Sequence, residues 1–275
     1  MSSRLAHPSS PPRDGEIHLW RVFLGDAVGL CSRQARWLSP EELRRADAYR
    51  FDRDRQRFVA ARGELRRILT AYTGVPSGRI ELGSSAAGKP FLLSPGPSLH
   101  FNISHSGDQA LMAFSSDGEV GVDLEEIPSE SRLEDLLPTI CSAGEQLRIL
   151  TLPPARRARA LLRLWTAKEA FLKATGAGLQ IAPDRLEVDA EILLGEGGTT
   201  RVRWAEALHL SELYRLYPLP ECEIRWQASA ALAVRWTGTP HRIQWFTGED
   251  EESPLPHRIP PLADASDARR VGPRG

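Results

Sequence analysis

The sequence is nearly devoid of lysine: of 35 basic side chains among 275 residues, 32 are arginine and only Lys89, Lys168 and Lys173 are lysine. Sulfur is scarce too, with two methionines and three cysteines. Cys31, Cys141 and Cys222 are odd in number, far apart and outside any C-x-x-C pattern. That excludes a disulfide framework and a cysteine zinc site, and leaves each as a small buried hydrophobe. No stretch approaches the ~18 consecutive apolar residues of a membrane span, and the opening MSSRLAHPSSPPRDG lacks the apolar run of a signal peptide. A soluble, cytoplasmic protein with no membrane partner is expected. An excess of either charge is also missing, because 35 basic against 36 acidic residues leaves a net charge of -1. No whole-molecule basic field is available for nucleic acid, so an anion bound by this chain needs a local site.

What is present is 41% hydrophobic residues, enough for a sizeable core in one or two domains. Residues 1–15 are rich in Ser, Pro and Arg, and residues 237–275 combine the acidic run GEDEES with repeated prolines. Both ends read as disordered, and the folded part as residues 16–236. Within it, strand-like runs are expected at 16–24, 79–82, 100–103, 110–115, 120–124, 186–188, 202–204, 224–229 and 230–236. Phe58, Ala61, Leu65, Ile68, Leu69 and Tyr72 recur at helical spacing until Gly74 and Pro76 stop them. That helix carries Arg53, Arg55, Arg57, Arg62, Arg66 and Arg67, read as a solvated face. Ser142 and Glu145 have the form of a capping box. Pro153-Pro154 precedes a second long helix through Lys173, ended by Gly176 and Gly178. The alternation predicts an α+β (α/β) protein whose halves, 16–117 and 118–236, divide near Asp117-Gly118.

The most specific local feature is GVDLEEI at 121–127. Side chains two apart on a strand share a face, so Asp123 and Glu125 present two carboxylates to one spot while Val122 and Leu124 face the core. Such a pair repels itself unless a cation lies between, and oxygen ligands suit Mg²⁺ or Mn²⁺. The alternative is a strand end with solvated acids. On the second long helix Trp165, Glu169 and Lys173 are four apart and fall along one face. A Glu-Lys pair at this spacing is ordinarily a surface pair, but in so arginine-rich a chain a lysine stands out: it is a compact charge suited to a single phosphate oxygen. Lys168 points about 100° away around the helix and cannot reach the same site. In FNISHSGD, 101–108, Asn102, Ser104, His105 and Ser106 end a strand before Gly107, a concave set of donors suited to phosphate. A Ser-His acyl-transfer dyad is the competing reading, without a G-x-S-x-G elbow to support it. GKPF, 88–91, holds Lys89 in a loop between Gly88 and Pro90.

In this order GKPF, FNISHSGD, GVDLEE and LWTAKEAFLKATGAGL resemble the signature pieces of the Sfp-type 4'-phosphopantetheinyl transferases. RFVAARGELRRIL, 57–69, is similar to that family's N-terminal helix. The resemblance implies two pseudo-symmetric α/β halves with coenzyme A in the cleft between them, complete in a monomer. It implies transfer of phosphopantetheine to a serine of an apo acyl or peptidyl carrier protein, with release of 3',5'-ADP. Asp123, Glu125 and Glu169 would then ligate Mg²⁺ (or Mn²⁺) on the pyrophosphate, and Lys173 would hold a phosphate oxygen. Ser104 and His105 would contact phosphates, and Lys89 with Gly88 and Pro90 would line the adenine end. Glu169 and Lys173 are the catalytic candidates, Glu169 as ligand alone or as ligand and base. Where some relatives carry lysines, this chain has Glu41-Glu42-Leu43-Arg44-Arg45, so Arg57 and Arg62 become the candidates for the 3'-phosphate. Glu145 is placed near the site by the resemblance, yet is also the capping-box partner. Arg156, Arg157, Arg159 and Arg163 either attract an acidic carrier or form a solvated face. A non-catalytic carrier or coenzyme A binding module and a Mg²⁺-dependent phosphohydrolase are the competing functions.

Overall fold

A computed structural model describes residues 8, 10–25, 27–94, 98–127, 133–195 and 198–248. The chain runs β1 (Glu16–Phe23), α1 (Ala27–Gln34), α2 (Pro40–Asp47), α3 (Asp52–Thr73), β2 (Glu81–Ser84), β3 (Pro90–Ser94), β4 (His100–Ser106), β5 (Gln109–Ser115) and β6 (Val120–Glu126). It continues through α4 (Leu137–Ile140), α5 (Ala143–Thr151), α6 (Pro154–Thr175), β7 (Leu186–Val188), α7 (Glu191–Leu194), β8 (Val202–Trp204), α8 (Leu208–Glu212), β9 (Tyr214–Pro218), α9 (Pro220–Trp226), β10 (Ala228–Arg235) and β11 (Arg242–Thr247). Mixed helices and strands make this an α+β fold, as expected.

Two sheets form the frame: β11-β1-β5-β4, and the antiparallel β6-β10-β9. The alternation of each strand sorts its side chains between two layers. On β1 and β5, Trp20, Val22, Ala110, Met112 and Phe114 pack against Leu65, Ile68, Leu69 and Tyr72 of α3. Their alternate neighbours Ile17, Leu19, Leu111 and Ala113 pack instead against Val122 and Leu124 of β6 and Leu232 and Val234 of β10. The opposite face of β10, through Ala231 and Ala233, meets Leu164, Ala167, Ala170 and Phe171 of α6. The layers thus run α3, sheet, sheet, α6, with the shared core between the sheets joining the halves. Both long helices stop at a glycine in the left-handed region, Gly74 (φ 68°) and Gly176 (φ 72°). Among the described residues no helix is long and apolar enough to cross a membrane.

The expected boundaries need correction at both ends. Residues 242–247 are not part of a disordered tail: β11 pairs in parallel with β1, and Phe246 stacks on Trp20 at 5.1 Å between ring centroids. The proline-rich and acidic composition of 237–275 hid a six-residue alternating segment, RIQWFT, that covers an otherwise open sheet edge. At the other end, Pro12 is buried and its carbonyl accepts from Ser116 Oγ at 2.6 Å. The rest of the expected disorder, residues 1–7, 9 and 249–275, lies outside the described residues. The strand expected at 224–229 fails over 224–227, and only Ala228 and Ser229 belong to a strand, β10. Ile224 and Trp226 close helix α9, Pro220 occupies its first turn, and Gln227 (φ 50°) turns the chain into β10. Strand β9 was absent from the expectation, and β2 begins only after a 3-10 turn at Ser77–Arg79.

Candidate active site

Gly121 explains how β6 and α6 come together. A Cβ built there would lie 2.1 Å from the Ala170 carbonyl oxygen and 2.4 Å from the Ala174 nitrogen, so only glycine lets the strand lie this close to the helix backbone. Asp123 and Glu125 follow on the same strand face and therefore aim at the same helix. The face of α6 that meets them is the one predicted from its spacing, with Trp165, Glu169 and Lys173. Lys173 Nζ reaches Asp123 Oδ1 at 2.5 Å and Ser104 Oγ at 3.0 Å. Trp165 Nε1 donates to Glu125 Oε1 at 3.3 Å.

The site is short of positive charge despite Lys173. Burial and the nearby Asp123 carboxylate push the Glu169 carboxyl above its ordinary value, with Lys173 opposing. Burial and Asp123 do the same to Glu125, against the bonds from Trp165 and Ser106. Asp123 Oδ2 and Glu169 Oε1 are buried and accept a hydrogen bond from no described residue. Two orphaned carboxylate oxygens beside a third repelled acid form an all-oxygen donor set, which fits a hard divalent cation. Among the described residues, however, no three acids, histidines or cysteines stand grouped as a formed metal site. The ammonium of Lys173 occupies one oxygen of Asp123 in this arrangement.

FNISHSGD is not a loop of donors. It continues as β4 to Ser106, and its alternation separates its polar groups. Asn102, Ser104 and Ser106 face β6 and accept the backbone N–H of Val122 (2.9 Å), Leu124 (3.3 Å) and Glu126 (3.1 Å). Two edge strands are thereby joined through side chains instead of a backbone ladder. Ser104 Oγ donates to Asp123 Oδ1 at 2.9 Å while accepting from Leu124 and Lys173. The hydroxyl is buried and saturated, so the phosphate contact expected of Ser104 gives way to holding Asp123 and Lys173. His105 points the other way and is exposed. The atoms around its ring, then the charges of Lys173 and Arg57, hold it below the usual histidine value.

Lys89 does not hang free in its loop. Its Nζ donates to Glu119 Oε2 at 2.5 Å and to the Val120 carbonyl at 3.0 Å. His100 Nδ1 completes the pair at Glu119 Oε1, 3.0 Å, and this bond with that of Lys89 lowers Glu119 to about 2 against the effect of its burial. Gly88 takes φ +80° and Pro90 starts β3. Lys89, Pro90, Phe91, His100, Phe101 and Glu119 help line a cavity of about 360 Å³. Glu119 precedes Asp123 by four residues, about 13 Å of extended chain, so the cavity lies at the start of β6 and the acids in its middle and toward its end. Glu119 and His100 were missed from the sequence because neither belongs to a spaced motif. Ser106 was visible in the N-x-S-x-S alternation.

The arginines divide differently from expectation. Arg57 binds Asp108 through two nitrogens, at 3.2 and 2.7 Å, beside the β4–β5 turn. Arg62, the other candidate for a phosphate, is instead paired with Glu42 at 2.5 Å, and Arg66 shares that carboxylate. Arg66 and Arg67 are buried, the latter on Glu64, so this part of the face is not solvated. Arg163, one of the arginines considered for a carrier, is held by Glu223 at 2.5 and 2.6 Å.

Comparison with known proteins places the chain in a family. Residues 31–117 match the profile described as 4'-phosphopantetheinyl transferase, N-terminal, and residues 119–217 that of the 4'-phosphopantetheinyl transferase superfamily. The chain is similar to the 4'-phosphopantetheinyl transferase HetI of Nostoc sp., with 37% identity over 200 residues, covering 72% of this chain and 82% of the relative. It is similar to the L-aminoadipate-semialdehyde dehydrogenase-phosphopantetheinyl transferase of Xenopus laevis, at 32% identity over 61% of each chain. The 4'-phosphopantetheinyl transferase psf-1 of Bacillus pumilus shares 34% identity over 52% of this chain and 60% of its own length. The extent of the Nostoc match, with the two profiles abutting at Gly118 and the second spanning the acids of β6 and the Glu169–Lys173 face, leads to one conclusion: the chain belongs to the 4'-phosphopantetheinyl transferase superfamily.

Proposed function

We propose that the chain transfers 4'-phosphopantetheine from coenzyme A to a serine hydroxyl of an apo acyl or peptidyl carrier protein, releasing 3',5'-ADP, with Mg²⁺ or Mn²⁺ held by Asp123, Glu125 and Glu169. The observation that carries this reading is the meeting of those three acids with Lys173 across β6 and α6, two of the acid oxygens being buried and unpaired. The cation would neutralise the pyrophosphate and so lower the repulsion toward an incoming oxygen nucleophile.

The chain's own groups supply the rest. Glu169, half-buried with an orphaned oxygen, accepts the serine proton as the serine oxygen bonds to the pantetheine-side phosphorus. The bond from that phosphorus to the bridging oxygen breaks, and Lys173 balances the charge growing on the departing 3',5'-ADP. The cavity beside Lys89, Gly88 and Pro90 takes the adenosine end, with apolar walls from Phe91, Leu99 and Phe101. Arg57 and His105 lie toward the acid end of the site, near the β4–β5 turn, and of the two 3'-phosphate candidates Arg57 is the one retained. Both halves of the cleft come from one chain, which supports a monomer.

Incubation with coenzyme A, Mg²⁺ and a panel of apo carrier proteins tests the reading. Mass spectrometry is expected to find one added phosphopantetheine on at least one carrier, abolished by chelation. Folded protein that modifies none would overturn it. Phosphate release from coenzyme A without a carrier would mark a phosphohydrolase instead, and coenzyme A binding by the unsubstituted protein without any turnover a binding module.

A further inference from the structure

The stitch between β4 and β6 contains one hydroxyl, that of Ser106, which touches an acid of β6 and has no part in the proposed chemistry. Ser106 Oγ accepts the Glu126 N–H at 3.1 Å, which engages an oxygen lone pair and leaves its single proton to donate. That proton goes to Glu125 Oε2 at 3.1 Å. The other carboxylate oxygen, Oε1, is met by Trp165 Nε1 from α6 at 3.3 Å. Glu125 is therefore gripped from two elements, by one donor on each oxygen, while Asp123 and Glu169 repel it.

We propose that Ser106 is a positioning residue, which fixes the carboxylate of Glu125 for the divalent cation. This inference rests on the reading that the three acids hold such a cation. Glu125 is only partly buried and has three side-chain torsions to order, so an unheld carboxylate would swing from its two acidic neighbours toward solvent. Partners that orient a ligating carboxylate typically matter about 10- to 100-fold in metal affinity. The same strand supplies an internal comparison. Asn102 makes the same kind of stitch to Val122 but touches no acid, whereas Ser106 does both. A purely structural stitch would need only the bond from Glu126.

The test is Mn²⁺ binding to the full chain with saturating coenzyme A and no carrier, read as loss of the free Mn²⁺ electron paramagnetic signal against a coenzyme A blank. Ser106→Ala is expected to weaken binding about tenfold or more, and Ser106→Thr, which keeps the hydroxyl, to restore it. Ser106→Val against Ser106→Thr repeats the comparison at matched size if the alanine variant folds poorly. Asn102→Ala is expected to lower Tm while leaving Mn²⁺ affinity as in the wild type. Wild-type affinity in both Ser106→Ala and Ser106→Val would overturn the positioning role alone. A wild-type protein that binds no Mn²⁺ would overturn the cation reading and this inference with it.

Discussion

Lys168 Nζ lies 2.5 Å from Glu145 Oε2, and both side chains are completely buried. The ammonium also donates to the carbonyls of Ile140 (2.7 Å) and Pro183 (3.0 Å), which accounts for its three protons. Glu145 accepts in turn from the Ser142 N–H, closing the capping box of α5, and from the Val188 N–H of β7 at 2.8 Å. One ion pair therefore ties α4, α5, α6, β7 and the turn before β7 into one unit behind the catalytic face. Lys168 braces the helix whose next residue is Glu169, and Glu145 is a structural residue rather than a ligand.

Removing one partner of such a pair leaves an uncompensated buried charge. Lys168→Ala is expected to destabilise the fold by about 3–5 kcal/mol, read as a shift in the urea midpoint. Lys168→Arg should also destabilise, because a planar fork cannot satisfy three acceptors arranged around a compact ammonium.

Gly121→Ala tests the close approach of β6 and α6. The added methyl meets helix backbone at 2.1 Å, which cannot turn aside as a side-chain tip would. Displacement of α6 by about 1 Å would separate Glu169 and Lys173 from Asp123, and transferase activity should fall about 100-fold. The accompanying stability loss should be only about 1–3 kcal/mol, so a folded and largely inactive protein is expected by circular dichroism and turnover.

Glu169→Gln keeps the shape of the side chain and removes its capacity to take a proton. Turnover should drop by about 10²–10⁴-fold, while coenzyme A binding measured by calorimetry persists.

His18 makes stability pH-dependent. It is buried beneath α3, where its Nδ1 shares a 2.7 Å hydrogen bond with the Tyr72 hydroxyl, whose oxygen also accepts from Trp20 Nε1 at 2.8 Å. Burial lowers its pKa from 6.5 to about 4. The native state holds it neutral, so the unfolded chain binds the proton first as pH falls. Its contribution is complete above pH 6.5 and declines toward pH 4, by about 3 kcal/mol in total. Urea midpoints between pH 7 and pH 4 should show this slope, and His18→Phe should flatten it.

The parts of the site legible in the sequence are those governed by local periodicity. Asp123 and Glu125 share a face because strands alternate, and Trp165, Glu169 and Lys173 share one because four residues make just over one helical turn. The same logic placed both long helices and their terminal glycines. It failed at residues 242–247, where average composition masked a strand that needs β1 as its partner, and at 224–227, where a helix-starting Pro220 outweighed β-branched and aromatic residues.

The rarity of lysine was visible at once, and composition alone nominated Lys173. The sequence by itself determined the kinds of groups available and the direction in which each leaves its own strand or helix. Only the tertiary structure decided their partners: Lys173 on Asp123, Lys89 on Glu119, Lys168 on Glu145, and Ser104 and Ser106 on the two acids of β6. The reason is physical. Periodicity acts within one element, whereas each of these bonds joins residues 19 or more positions apart, whose meeting depends on how whole sheets and helices pack.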